Sequence, residues 1–281
     1  MQAKDGFFWH RIFICALFIM GNAIITVPLT QNGVFGIIGF IISSSIGLML
    51  ALATSLIANK LRGKKINNLI KKIICGFWLV FLLSMLYDCC RDYVVFTDTT
   101  KMPNSSSIVI AFAFLALSIY CGYGRRSVLL RAAVICFLLC CLVLVALVLF
   151  SLPRINIENL NINYTQNGIK DLLFKAFLPS IAVYYFASEQ TNGICTTLFG
   201  TLIGIALLVI PALLCVAVLG NTINLISYPL ATVGGIISIG KGFMRFEGFI
   251  YLLVILTSFI KASVLSHLIL NIFNKNRSIR P

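Results

Sequence analysis

Three groups of residues have types and spacing suited to chemistry in an apolar environment. The first is Gly21-Asn22, which interrupts the apolar run Phe7–Leu29 and is followed by Pro28. Gly weakens a helix and Asn competes for backbone hydrogen bonds, so the run is expected to unwind there; a glycine tolerated in a packed helix is the alternative. The second is Pro179 with Ser180, in the middle of the run Ile169–Ser188. Pro179 removes a backbone donor and clashes with the preceding turn, which gives a kink or a true break. Unwound backbone at membrane depth survives only where protein or a water-filled cavity satisfies it. Two breaks at corresponding places in two halves of a chain point to a small-molecule site near the bilayer midplane. The third is Lys261, central in the last apolar run, with Thr257 and Ser258 on its face at i−4 and i−3. An ammonium there is costly if it faces lipid. It is expected to point inward, toward carbonyls or a carboxylate, as a structural group, a fixed charge replacing a bound cation, or a proton carrier. Glu247, 14 residues earlier, is too far away to pair with it.

Other chemistry is not signalled. The sequence has no GxSxG, HExxH or P-loop pattern and no cluster of intramembrane carboxylates, so no enzyme activity is expected. Eight of the ten cysteines lie in apolar runs and the other two, Cys89 and Cys90, lie near the end of one. They form no CxxC or Cys/His spacing, and are expected to act as small packing groups. His10 and His267 stand at opposite ends of the chain and are assigned neither metal nor catalysis. Gly200 and Gly204, at i and i+4, suit close helix contact.

The elements that must position these residues are membrane helices. Of the 281 residues, 60% are hydrophobic and 11% charged, with mean hydropathy +1.02. A soluble domain is nearer a quarter charged. About eight spans are expected, over 7–29, 34–58, 73–93, 108–123, 132–152, 169–188, 194–219 and 249–273. The linker with Pro229, Gly234, Gly235 and Lys241 is expected to hold a short helix that does not span. The first run lacks a cleavage site and is read as a span rather than a signal peptide.

The net charge is +14. With the N-terminus inside, fourteen of the 22 Lys and Arg fall on cytoplasmic positions and seven outside, with Lys261 in the membrane. That bias favours a cytoplasmic N-terminus, and an even number of spans returns the C-terminus to the same side. The basic excess is thereby assigned to loops rather than to nucleic acid, for which no basic patch with interleaved aromatics is present.

The stretch Gly21-Asn22-Ala23-Ile24-Ile25-Thr26-Val27-Pro28 resembles the first-helix motif of the spore germination protein family, the B-subunits of nutrient germinant receptors. Pro229, the segment Ile237 to Phe249 with its Arg245-Phe246-Glu247, and Phe259-Ile260-Lys261-Ala262-Ser263 are similar to that family's linker and Phe-Ile-Lys helix. Phe186-Ala187-Ser188-Glu189 also fits. These motifs cover about a quarter of the chain, while the layout agrees over most of it.

The resemblance implies an all-helical membrane protein of the amino acid–polyamine–organocation transporter superfamily, with a LeuT-like inverted-repeat fold and broken helices one and six. It would form one transmembrane domain, with a first repeat over 7–152 and a partial second repeat over 169–273. The family usually has about ten spans, so the last two helices are expected to be lacking. Carried over by position, Gly21, Asn22, Ala23, Pro179, Ser180 and Ala182 would line a site for a small nutrient such as an amino acid. Implied partners are an A-type membrane subunit and a lipoprotein C-subunit in the spore inner membrane, with no cofactor. An amino acid permease of the same fold and a degenerate structural subunit are the other readings.

Overall fold

A computed structural model describes residues 8–26, 68–100, 106–156, 193–239 and 244–277, with residues 42, 45–47, 49, 159 and 182 between them. The described helices are α1 (Phe8–Met20), α2 (Ala23–Thr26), α3 (Asn68–Thr100), α4 (Ser107–Tyr123), α5 (Arg126–Ser151), α6 (Gly193–Leu219), α7 (Pro229–Ile236) and α8 (Glu247–Arg277). Four are long and apolar enough to cross a membrane, within α3, α5, α6 and α8, and α1 and α4 are shorter apolar helices. The chain is a polytopic α-helical membrane protein. The expected second and sixth spans lie outside the described residues, apart from single helical positions such as Ala182.

Several boundaries differ from those read off the sequence. Helix α3 starts at Asn68 and runs to Thr100, so Lys71, Lys72, Asp88, Arg91 and Asp92 are all helical. Helix α5 likewise takes in Arg126 and Arg131. Charges mark where a helix enters the interface; they do not end it, because long basic side chains reach water from inside a helix.

Helices α8 and α1 form the centre. Within its most apolar stretch α8 is 67% buried, against 22% for α3. Small residues let backbones meet. A Cβ added at Gly200 would lie 2.8 Å from the Ile12 carbonyl, and one at Gly204 2.8 Å from the Ala16 carbonyl, so the i, i+4 glycine pair is the contact face of α6 on α1, as expected. Gly122 of α4 makes the same approach to α8, where an added Cβ would stand 2.7 Å from Ser266 Cβ. His267 donates from Nδ1 to the Gly122 carbonyl at 2.8 Å, which ties α8 to α4. The ten cysteines form no disulfide, and Cys15, Cys89, Cys90, Cys140 and Cys215 are buried.

The linker does hold a short helix. α7 opens with Pro229 in its first turn, where the missing N–H costs nothing. It leads to an antiparallel pair of two-residue strands, β1 (Ser238–Ile239) and β2 (Met244–Arg245), with Ser238 opposite Arg245. The pair departs from a purely helical chain but is too short to change its class. Buried Ile237 and Phe246 flank it, joined by a Phe246 N–H to Ile237 carbonyl bond of 3.3 Å.

Depth is fixed by one contact. The Cys89 thiol donates to the Ser258 carbonyl at 3.5 Å. Cys89 stands eleven residues before the Thr100 end of α3, and Ser258 eleven residues after the Glu247 start of α8. Eleven residues of helix rise about 16 Å, half of a ~30 Å hydrocarbon core. The contact therefore lies near the membrane midplane.

Candidate functional site at the helix break

The first helix breaks where its sequence says it should. The Gly21 N–H closes a last α-type bond onto the Leu17 carbonyl at 2.8 Å, and the Asn22 carbonyl then accepts from Ile25 N–H at 3.1 Å to start α2. Between them, Gly21 and Asn22 form a turn. The Gly21 carbonyl, freed from the helix ladder, accepts from Thr257 Oγ1 at 3.2 Å. A buried backbone acceptor at this depth is thus supplied by a hydroxyl of α8.

Lys261 enters the same turn. It is 3% exposed, and its Nζ donates to Asn22 Oδ1 at 2.5 Å. The Asn22 amide nitrogen donates in turn to Asp92 Oδ2 on α3 at 2.6 Å. This orientation of the amide is the one chemistry allows, since an ammonium has no acceptor and a carboxylate has no donor. The Lys261 Nζ also lies 5.6 Å from the centre of the Phe18 ring, within cation–π range. Helical side chains tilt toward the N-terminus of their own helix. Because α3 and α8 contribute from opposite directions, Lys261 and Asp92 converge on Asn22.

Gly21 is small for a reason visible here. A Cβ at that position would collide with the aliphatic stem of Lys261 and stand 3.0 Å from the Phe18 carbonyl. The break, the lysine and the glycine are therefore one structural unit. Ala23 begins α2 and is buried at 3% exposure.

Beyond the break lies a small cleft lined by apolar side chains, among them Ile24, Ile25, Phe96, Ile250 and Val254, together with Tyr228. Phe96 meets Tyr228 edge-on with ring centres 5.1 Å apart. A polar turn thus borders an apolar space.

The structure brings together Gly21, Asn22, Ala23 and Lys261 of the residues singled out in the sequence. Pro179 and Ser180 lie outside the described residues; Ala182 is helical and fully buried. Lys261 points inward as expected, and its carboxylate is Asp92, reached through an amide. Glu247 instead accepts from the Tyr251 hydroxyl at 2.8 Å. Asp92 was legible only as a charge near the end of a span. The signal that could have found it is the uncharged stretch Tyr93-Val94-Val95-Phe96-Thr97 that continues past it before the next charge, Asp98. Ser258 was placed on the face of Lys261; it contributes its carbonyl, and its hydroxyl has no partner among the described residues.

Comparison with known proteins agrees with the motifs at this site. A family model described as spore germination protein matches residues 9–279. No curated protein and no solved structure matches. The match takes in the break, α3 with Asp92, the linker and the Lys261 helix, and on that coverage the chain belongs to the spore germination protein family.

Proposed function

We propose that this chain is the ligand-binding membrane subunit of a nutrient germinant receptor, and that the nutrient is an amino acid or similar zwitterion bound at the Gly21-Asn22 break. The observation that carries the reading is the Lys261–Asn22–Asp92 chain of hydrogen bonds across the unwound turn. It holds one positive and one negative group apart with a neutral amide between them. A zwitterion of matching polarity exchanges with that amide, its carboxylate taking Lys261 and its ammonium taking Asp92. The apolar cleft beside Ile24 and Ile25 seats its side chain. Ala182, and with it Pro179 and Ser180, would close the site from the sixth span. The expected A-type and lipoprotein subunits would read the resulting change in the first helix, with both termini of this chain in the cytoplasm.

The test is germination of a deletion strain, scored as dipicolinic acid release over a panel of amino acids and sugars. We expect loss of the response to one nutrient, restored by the wild-type chain and not by Gly21→Leu at equal protein level. An unchanged response to every nutrient overturns the receptor reading. Normal germination with Gly21→Leu overturns the site. Uptake of a labelled amino acid that depends on the chain would instead identify a permease.

A further inference from the structure

An exposed stripe of α3, beside the face that carries Asp92, bears a second pair of charges that the nutrient site does not use. Ser84, Asp88, Arg91 and Val95 are exposed and recur at steps of four, three and four residues, the spacing of a helix-packing stripe. Exposed Phe77 continues the stripe toward the cytoplasmic end. Asp88 and Arg91 make no hydrogen bond or ion pair among the described residues.

Their depth makes this unusual. Asp88 adjoins Cys89, whose contact with Ser258 lies near the midplane. A carboxylate there is about 18 Å from the outer end of the helix and is too short to reach the interface. Charged side chains at such depth face protein or water rather than lipid.

We propose that this stripe is a self-association surface and that a second copy of the same chain covers it. On a helical wheel Asp88 and Arg91 lie on opposite sides of the stripe, and they stand one turn apart along the axis. A two-fold axis along the membrane normal therefore brings Asp88 of one copy beside Arg91 of the other, and the symmetry makes the pair twice. Such an interface is self-complementary. Ser84 and Val95 are small enough to let the two α3 helices approach, and Phe77 packs below the charged layer.

The experiment uses the full chain in lipid nanodiscs, with mass measured by light scattering and helicity by circular dichroism. The wild type is expected to be a dimer. Asp88→Arg and Arg91→Asp place like charges opposite each other and should weaken self-association by about tenfold or more. Mixed together, the two variants should associate with each other, since each then presents what the other lacks. Asp88→Arg/Arg91→Asp in one chain should self-associate like the wild type. A monomeric wild type, as expected if the face lines a hydrated vestibule or meets a helix of another protein, overturns the proposal. So does a failure of the two folded single variants to pair when mixed. If a single variant loses helicity, the decision rests on the double variant, and its failure to dimerise while helical overturns the proposal as well.

Discussion

At the scale of residues, the site depends on a glycine and a lysine that cannot be altered independently. The Lys261 stem occupies the space that a Gly21 side chain would need, and its ammonium holds the Asn22 amide. Gly21→Ala must therefore displace the lysine or the turn. We expect it to cost about 1–3 kcal/mol, the range for overpacking, read as a fall in Tm of ~2–4 °C per kcal/mol in detergent. In a Lys261→Ala background the obstructing stem is gone, and the same Gly21→Ala change should cost under about 1 kcal/mol. Equal costs in the two backgrounds would show that glycine is needed for backbone conformation alone. Lys261→Ala by itself is expected to destabilise by about 1–3 kcal/mol, because it removes the donor to the buried Asn22 amide oxygen. The sequence marked Gly21, Asn22 and Lys261, since each breaks a rule of apolar helices. It could not mark their mutual contact, which joins positions more than two hundred residues apart.

At the scale of elements, the helices were legible and their facing was not. Length and hydropathy located α3, α4, α5, α6 and α8, and Pro229 with the glycines after it located α7. In water the apolar stripe of a helix shows which side is buried. In lipid both the protein-facing and the lipid-facing sides are apolar, so that signal vanishes, and small residues carry the information instead. The four-residue spacing of Gly200 and Gly204 was the readable case, and the structure sets both against the backbone of α1. Gly204→Ala should therefore push α6 from α1 and lower stability by about 1–3 kcal/mol. Gly76 is the control. It lies in α3, exposed, and an added Cβ meets nothing within 4 Å. Gly76→Ala should be neutral or stabilising by up to ~1 kcal/mol through helix propensity. Thermal unfolding of the two variants in the same detergent separates close packing from propensity, and a Gly204→Ala protein as stable as wild type would show that the two helices have room to spare.

At the scale of the whole molecule, the distribution of charge and the register of the helices predict one orientation. Lys71 and Lys72 stand at the start of α3, and Arg126 and Arg131 at the start of α5. Basic residues gather on the cytoplasmic side of membrane proteins, so both helices are expected to run from inside to outside. The Cys89–Ser258 contact places the Thr100 end of α3 level with the Glu247 end of α8. α8, antiparallel to α3, is therefore expected to run from outside to inside, with Lys275 and Arg277 on the same side as Lys71 and Lys72. Arg91, one of the seven outer basic residues if the span ended at Tyr93, lies instead within α3, less than one turn beyond the midplane contact. Removing it from the outer set leaves six outer basic residues against fourteen inner ones. The chain should therefore have its C-terminus in the cytoplasm. Fusions after Pro281 decide this directly: a fluorescent protein that folds only in the cytoplasm should be bright, and alkaline phosphatase, which needs the outside, should be inactive. The reverse pattern would invert α8 and, through its contact with α3, every orientation derived from it, and would place the apolar cleft on the cytoplasmic side of the helix break.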